Sequence, residues 1–236
     1  MNTTKFPIGE LNRLRRRAQA AAPFTSAPDG WTISQLDPMH LLAAFETLRM
    51  KPGFALRAYL FRSGGDGNGI VWAMPIDDPL PSPDDCPTIE AFLSPPRPPT
   101  ALDDVMQAIE GDGSPFSYLS ASLLARELGE FGAGWHGVSW GAATIEDRPP
   151  PELRKQIFVE TNEPEWTNEW TWCTPPPRRW RPQVTQTADG VEVSFCVLNV
   201  VESREIVRIN DRYNSLQYTF TTTEEGIAMG GPGIIW

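Results

Sequence analysis

The chain has 236 residues and a formal net charge of −10, with 40% apolar and 21% charged residues. That length buries a real core in one large domain or two small ones. The acidic balance weighs against nucleic acid and anionic membranes and makes a cationic protein or a neutral ligand the easier partner. Proline, at 24 residues, is about twice as frequent as usual and predicts long ordered loops. No apolar run is long enough to span a membrane.

The three cysteines, Cys86, Cys173 and Cys196, are odd in number and widely spaced, and no CxxC occurs. Two histidines do not complete a usual zinc set with them, so no metal site is expected. No cofactor motif is present either. Free thiols point to a reducing cytosol, and hence to a cytoplasmic protein. Arg13 and Arg15 to Arg17 precede Ala18-Gln19-Ala20 as in a signal peptide. No apolar stretch separates them, so export is not expected.

In chain order, residues 8–21 place Ile8, Leu11, Leu14 and Ala18 on one side of a basic helix, either a surface helix or part of a mobile arm over 1–30. A second helix is predicted from Pro38 to Leu48, with Asp37 as N-cap and Pro38 at the first helical position. Its first turn holds His40, read as structural. Phe54 to Phe61 and Ile70 to Met74 read as strands joined by the loop Gly64–Gly69. Asp66-Gly67-Asn68-Gly69 starts like a calcium loop, but Ile70 and Val71 break the pattern. Residues 75–99 contain nine prolines, and Ile89, Phe92 and Leu93 suggest a surface strap that packs back on one domain spanning 1–236.

Residues 100–140 hold the strongest helical patterns. Leu102, Val105, Met106 and Ile109 share one helical face after a Thr100/Asp103 capping box. Gly111-Asp112-Gly113 breaks that helix, and Ser114-Pro115 starts another reaching about Phe131. On the second helix, Glu127 falls within the apolar arc of Phe116, Leu119, Leu123, Leu124, Leu128 and Phe131, with Glu130 near its edge. A carboxylate on a packed face must be paired, hydrogen-bonded or neutralised, because a bare buried charge costs several kcal/mol. It is therefore either a structural glutamate held by an arginine, a tryptophan N–H or His136, or an acid-base group.

Gly137-Val138-Ser139-Trp140-Gly141 matches G-x-S-x-G, but no histidine follows Ser139 and no helix follows Gly141, so the serine is not read as a nucleophile. Gly111 to Pro115 could hold an anion at a helix N-terminus. Asp112 argues against a phosphate there.

The remainder is β-rich. Strands are expected at Gln156–Thr161, Val184–Thr187, Val191–Val197, Leu216–Phe220 and Ile227–Met229. Trp166, Trp170, Trp172 and Trp180, with Arg178 and Arg179, form an aromatic and basic strip around Pro175–Pro177. Such residues stack on bases or sugar faces, anchor protein interfaces, or cover a sheet from inside.

The expected fold is α+β, a mainly antiparallel sheet with a central helical hairpin packed on it. The expected function is a non-catalytic binding or accessory protein that recognises a protein partner through the Trp/Arg strip. The alternative is a cofactor-independent hydrolase with a pocket between hairpin and sheet. In it Glu127 is the base, His136 its partner, and Asp112 or Glu130 a positioning carboxylate.

Overall fold

The computed structural model describes residues 1–86, 95–156, 158, 169–201, 203–214 and 217–233. In chain order it forms β1 (Asn2–Lys5), α1 (Ile8–Ala21), β2 (Gly30–Ile33), α2 (Pro38–Ala43), β3 (Leu48–Met50), β4 (Phe54–Ser63), β5 (Asp66–Pro75), β6 (Ile109–Gly111) and α3 (Pro115–Gly129). There follow β7 (Thr144–Glu146), β8 (Thr171–Trp172), β9 (Gln183–Thr187), β10 (Gly190–Asn199), β11 (Ser203–Tyr213) and β12 (Phe220–Pro232). Among the described residues strand accounts for 38% and helix for 23%.

The expected α+β fold with a central helical hairpin is therefore wrong. The protein is mostly β, with a curled antiparallel sheet and three α-helices among the described residues. The first arm of the hairpin fails for a tertiary reason. Asp104, not Thr100, caps a 3-10 turn over Val105–Ala108 by accepting from Met106 N–H at 2.8 Å. The backbone then extends at Ile109 to pair with Met50. Ladder hydrogen bonds and burial of Ile109 and Leu48 outweigh a weak local helical preference.

The chain divides into two compact units. The first comprises Met1–Arg13, Ala142–Ser215 and Phe220–Trp236; the second comprises Leu14–Gly141 and Leu216–Thr219. The first unit is a seven-stranded sheet in the order β1-β9-β10-β11-β12-β8, with β7 also paired to β10. Val191, Val193, Phe195 and Val197 alternate along β10 and are buried, as expected of a strand with a packed face. On the opposite face Cys196 is buried too, beneath Leu153, Trp170 and Trp172. β11 lacks such a pattern, because Arg204, Glu205, Arg208 and Arg212 interrupt it.

The second unit contains the sheet β2-β4-β5, the pair β3-β6, and helices α2 and α3. Gly64 and Gly65, with φ of 58° and 94°, make a two-residue turn between β4 and β5. Asp66 to Gly69 are thus strand, not loop. Gly69 must lack a side chain, because a Cβ there would run into Phe131 O. α2 ends at Ala43, short of Leu48, because the chain tightens at Ala44 and Phe45 and enters β3. α3 starts at Ser114, whose Oγ accepts from Ser117 N–H at 3.2 Å. It is buried nearly all round rather than on one stripe. Its other side carries small serines that satisfy their own hydroxyls, as when Ser117 Oγ donates to Ser114 O at 2.8 Å.

Candidate functional site

Glu127 is 5% exposed. Its Oε1 accepts from Arg15 Nε at 3.0 Å and from Trp140 Nε1 at 2.9 Å, and Gln19 supplies a further side-chain hydrogen bond. Arg15, also 5% exposed, donates from Nη2 to Trp140 O at 2.6 Å and lies 4.0 Å over the Trp140 ring. α1 carries Arg15 between the buried Leu11, Leu14 and Ala18. The cation thus rides the apolar side of one helix as the anion rides that of another. Burial pushes the Glu127 carboxyl above the usual carboxylate range, and the Arg15 guanidinium pulls the other way. A buried pair of this kind is costly to break from one side, since the remaining charge has no water.

The same carboxylate lines a cleft of about 230 Å³ that Gln19, Phe24, Leu41, Glu130 and Val138 also wall. Glu130, one helical turn on, reaches the Gly137–Gly141 loop. Its Oε1 accepts from Ser139 N–H at 2.7 Å and from Trp140 N–H, and its Oε2 from Gly141 N–H at 2.6 Å. Consecutive backbone N–H groups aimed at one point make an anion-binding concavity. In this chain the anion is its own glutamate. The G-x-S-x-G loop is therefore a clasp, and Ser139 contributes its backbone to it.

His136 is exposed and forms a separate pair. Its Nδ1 is 2.5 Å from Asp66 Oδ2, and its backbone N–H donates to Asp66 Oδ1 at 3.0 Å. These bonds, the ring bond foremost, hold the Asp66 carboxyl below its usual range. Asp112 accepts from Ser114 N–H at 2.9 Å. Bonds from Ser114 likewise hold its carboxyl low. The four residues expected to form an acid-base constellation thus serve four different local connections.

Arg62 and Tyr218 are functional to the fold and gave little sign of it in the sequence. Arg62, 2% exposed, donates to the carbonyls of Thr25, Phe61, Asn68 and Gly132 at 2.8–3.3 Å and stacks 4.4 Å over Phe24. Burial without a carboxylate lowers its pKa. Tyr218 OH lies 2.6 Å from Ser117 Oγ and accepts from Gly113 N–H at 3.0 Å, closing the N-terminus of α3. An alternating pattern made Tyr218 look like a strand residue.

The expected partner-binding strip belongs to the first unit. Trp166 lies outside the described residues, as does most of the strand expected at 156–161 and the middle of the proline-rich strap. Trp170 and Trp172 are each 5% exposed and form a core cluster with Leu153, Cys196, Ile206 and Ile227. Trp180 packs against that cluster, its ring edge-on to Trp172 at 6.2 Å. Arg178 and Arg179 are exposed.

Cys86, Cys173 and Cys196 are free thiols. Burial raises the last two above the usual thiol range, which makes them poor nucleophiles. Among the described residues no group of acidic, histidine and cysteine side chains could hold a metal ion, and no helix is long and apolar enough to cross a membrane. Compared with protein-family models, curated proteins and solved structures, the chain matches none.

Proposed function

We propose that this is a non-catalytic binding protein of the cytosol that recognises a protein partner through the arginines of the Trp/Arg strip. The observation that carries this reading is the segment from Pro175 to Arg181. Trp172 before it and Trp180 after it pack on one core cluster, while Arg178, Arg179 and Arg181 are exposed and have no carboxylate partner among the described residues. Three successive prolines restrict the segment before it binds, which lowers the entropy cost of association. Guanidinium groups grip carboxylates with paired hydrogen bonds and recur at interface hot spots. The patch of the partner that meets these arginines is accordingly acidic. The tryptophans are the scaffold in this reading, and the arginines are the contacts.

Support over a hydrolase comes from the bonds that Glu127, Glu130 and His136 already make. The hydrolase reading pairs Glu127 with His136 as base and partner, whereas Glu127 bonds Arg15, Glu130 bonds three backbone N–H groups and His136 bonds Asp66. Three free thiols support a reducing compartment. The test is affinity capture from the source cell with the wild-type chain and the double variant Arg178→Ala/Arg179→Ala, read by mass spectrometry. The variant is expected to lose the partners that the wild type holds. Retention of every one of them would sink the reading.

A further inference from the structure

Strand β12 pairs with β11 on one side over its whole length, from Ser203↔Pro232 to Tyr213↔Phe220. On its other side β8 supplies two residues, at Ala228↔Trp172 and Met229↔Thr171. Cys173 N–H and Thr174 N–H then reach Ile227 O at 2.9 and 3.4 Å. Pairing stops there for a chemical reason, since Pro175, Pro176 and Pro177 have no N–H to donate. Among the described residues, no strand pairs with that side of β12 from Thr221 to Gly226.

Every side chain from Thr221 to Glu225 is exposed, as is Gly226, so both faces of the ribbon meet water. The free edge offers the N–H and C=O groups of alternate residues, a ready template for another strand. Thr221, Thr222 and Thr223 favour extended backbone. No proline interrupts the stretch, and the register shifts against β11 fall beyond Gly226. The edge is also acidic. Glu224 has no ionic partner among the described residues, and Glu225 shares Arg208 at 3.2 Å. No lysine or arginine lies between Phe220 and Gly226, and the chain as a whole carries −10.

We propose that this edge accepts an extended, lysine- or arginine-bearing segment of a partner protein as an added strand. Main-chain bonds supply the attraction and the flanking cations answer Glu224 and Glu225. The proposal rests on the protein-binding reading but not on Arg178 and Arg179, so either can fail alone.

The probe is an acetylated peptide in which lysine alternates with threonine and valine. Added to the full chain, it is expected to slow amide hydrogen exchange within residues 220–226 by about tenfold or more. The same peptide N-methylated at alternate residues cannot form the ladder, and one with glutamate in place of lysine meets like charge. Neither is expected to protect those amides. Glu224→Lys is expected to weaken the lysine peptide by about tenfold, near 1.4 kcal/mol. Equal binding of the N-methylated peptide would overturn the proposal, as would protection confined to other residues. So would protection of 220–226 on raising protein concentration alone, which would make a second copy the occupant. If Arg178→Ala/Arg179→Ala abolishes partner capture while the edge stays unprotected by the probe, this inference falls and the binding reading stands.

Discussion

In the second unit, charged groups that sit on apolar helix faces find one another, whereas in the Trp/Arg strip of the first the arginines stay outside and the aromatic groups go in. Arg15 and Glu127 are both buried and bonded, with Trp140 over and beside them. Trp170 and Trp172 are buried among aliphatic side chains, while Arg178 and Arg179 are exposed. An anomaly in sequence therefore has two physical outcomes. A lone acid in an apolar arc was satisfied from within, and a mixed cluster was sorted into a core half and a solvent half. Chemistry toward other molecules is to be sought where polar valence stays unmet, at the arginine segment and the β12 edge.

The largest effect expected from breaking this contrast is in the second unit. Glu127→Ala leaves the Arg15 guanidinium buried beside an empty site, and should cost about 3–5 kcal/mol in urea unfolding. Glu127→Gln keeps the shape and the hydrogen bonds' acceptor and should cost less. Both variants also remove a titrating carboxyl. The folded carboxyl sits above its unfolded value because burial dominates, so the folded state binds the proton more tightly. Stability from this group is greatest below the unfolded value, near about 4.3, and declines as pH rises through the higher folded value. Glu127→Gln should abolish that slope. An unchanged slope would mean that Glu127 is not the group responsible.

In the first unit, Trp172→Ala should cost about 3 kcal/mol, because it empties a packed core and orphans Gln156 O, which the indole now satisfies at 3.1 Å. Arg178→Ala should stay within about 0.5 kcal/mol of wild type. Comparable costs for the two would mean that the strip is not divided into scaffold and contact halves. Thermal or urea melts of the two variants decide it.

How much of this was legible follows the same division between local and tertiary causes. The starts of α2 and α3 could be read because Asp37-Pro38 and Ser114-Pro115 are local signals that act within a turn. The alternation of β10 could be read because its core face is uninterrupted. The 100–109 stretch could not, because its partner strand at Leu48–Met50 is remote in sequence. β11 was hidden by four charged residues and by Asp211, fully buried and bonded to Thr222 Oγ1 at 2.7 Å. As for the site, Glu127 stood out, and its partner had a matching sign that went unread: Arg15 lies four residues after Leu11 and three before Ala18, on the same stripe. Tryptophans carry no such sign, since an indole suits a core and an interface equally well.

The smallest expected effect is at the Asp66–His136 pair, where exposure limits what a hydrogen bond contributes. Asp66 is held below the usual range first by the His136 ring bond and then by the His136 backbone N–H. Its folded value is depressed, so the associated stabilisation is present above the unfolded value, near about 3.9, and is lost as pH falls through the lower folded one. The same two bonds hold the turn that sets Trp135 at φ 51° with 62% of its surface exposed, a backbone region unfavourable for a bulky residue. His136→Ala should return the Asp66 carboxyl toward the ordinary range in a carbon-13 NMR titration and leave the Glu127-dependent slope untouched. A shift in that slope would show that the exposed pair and the buried pair are one network after all.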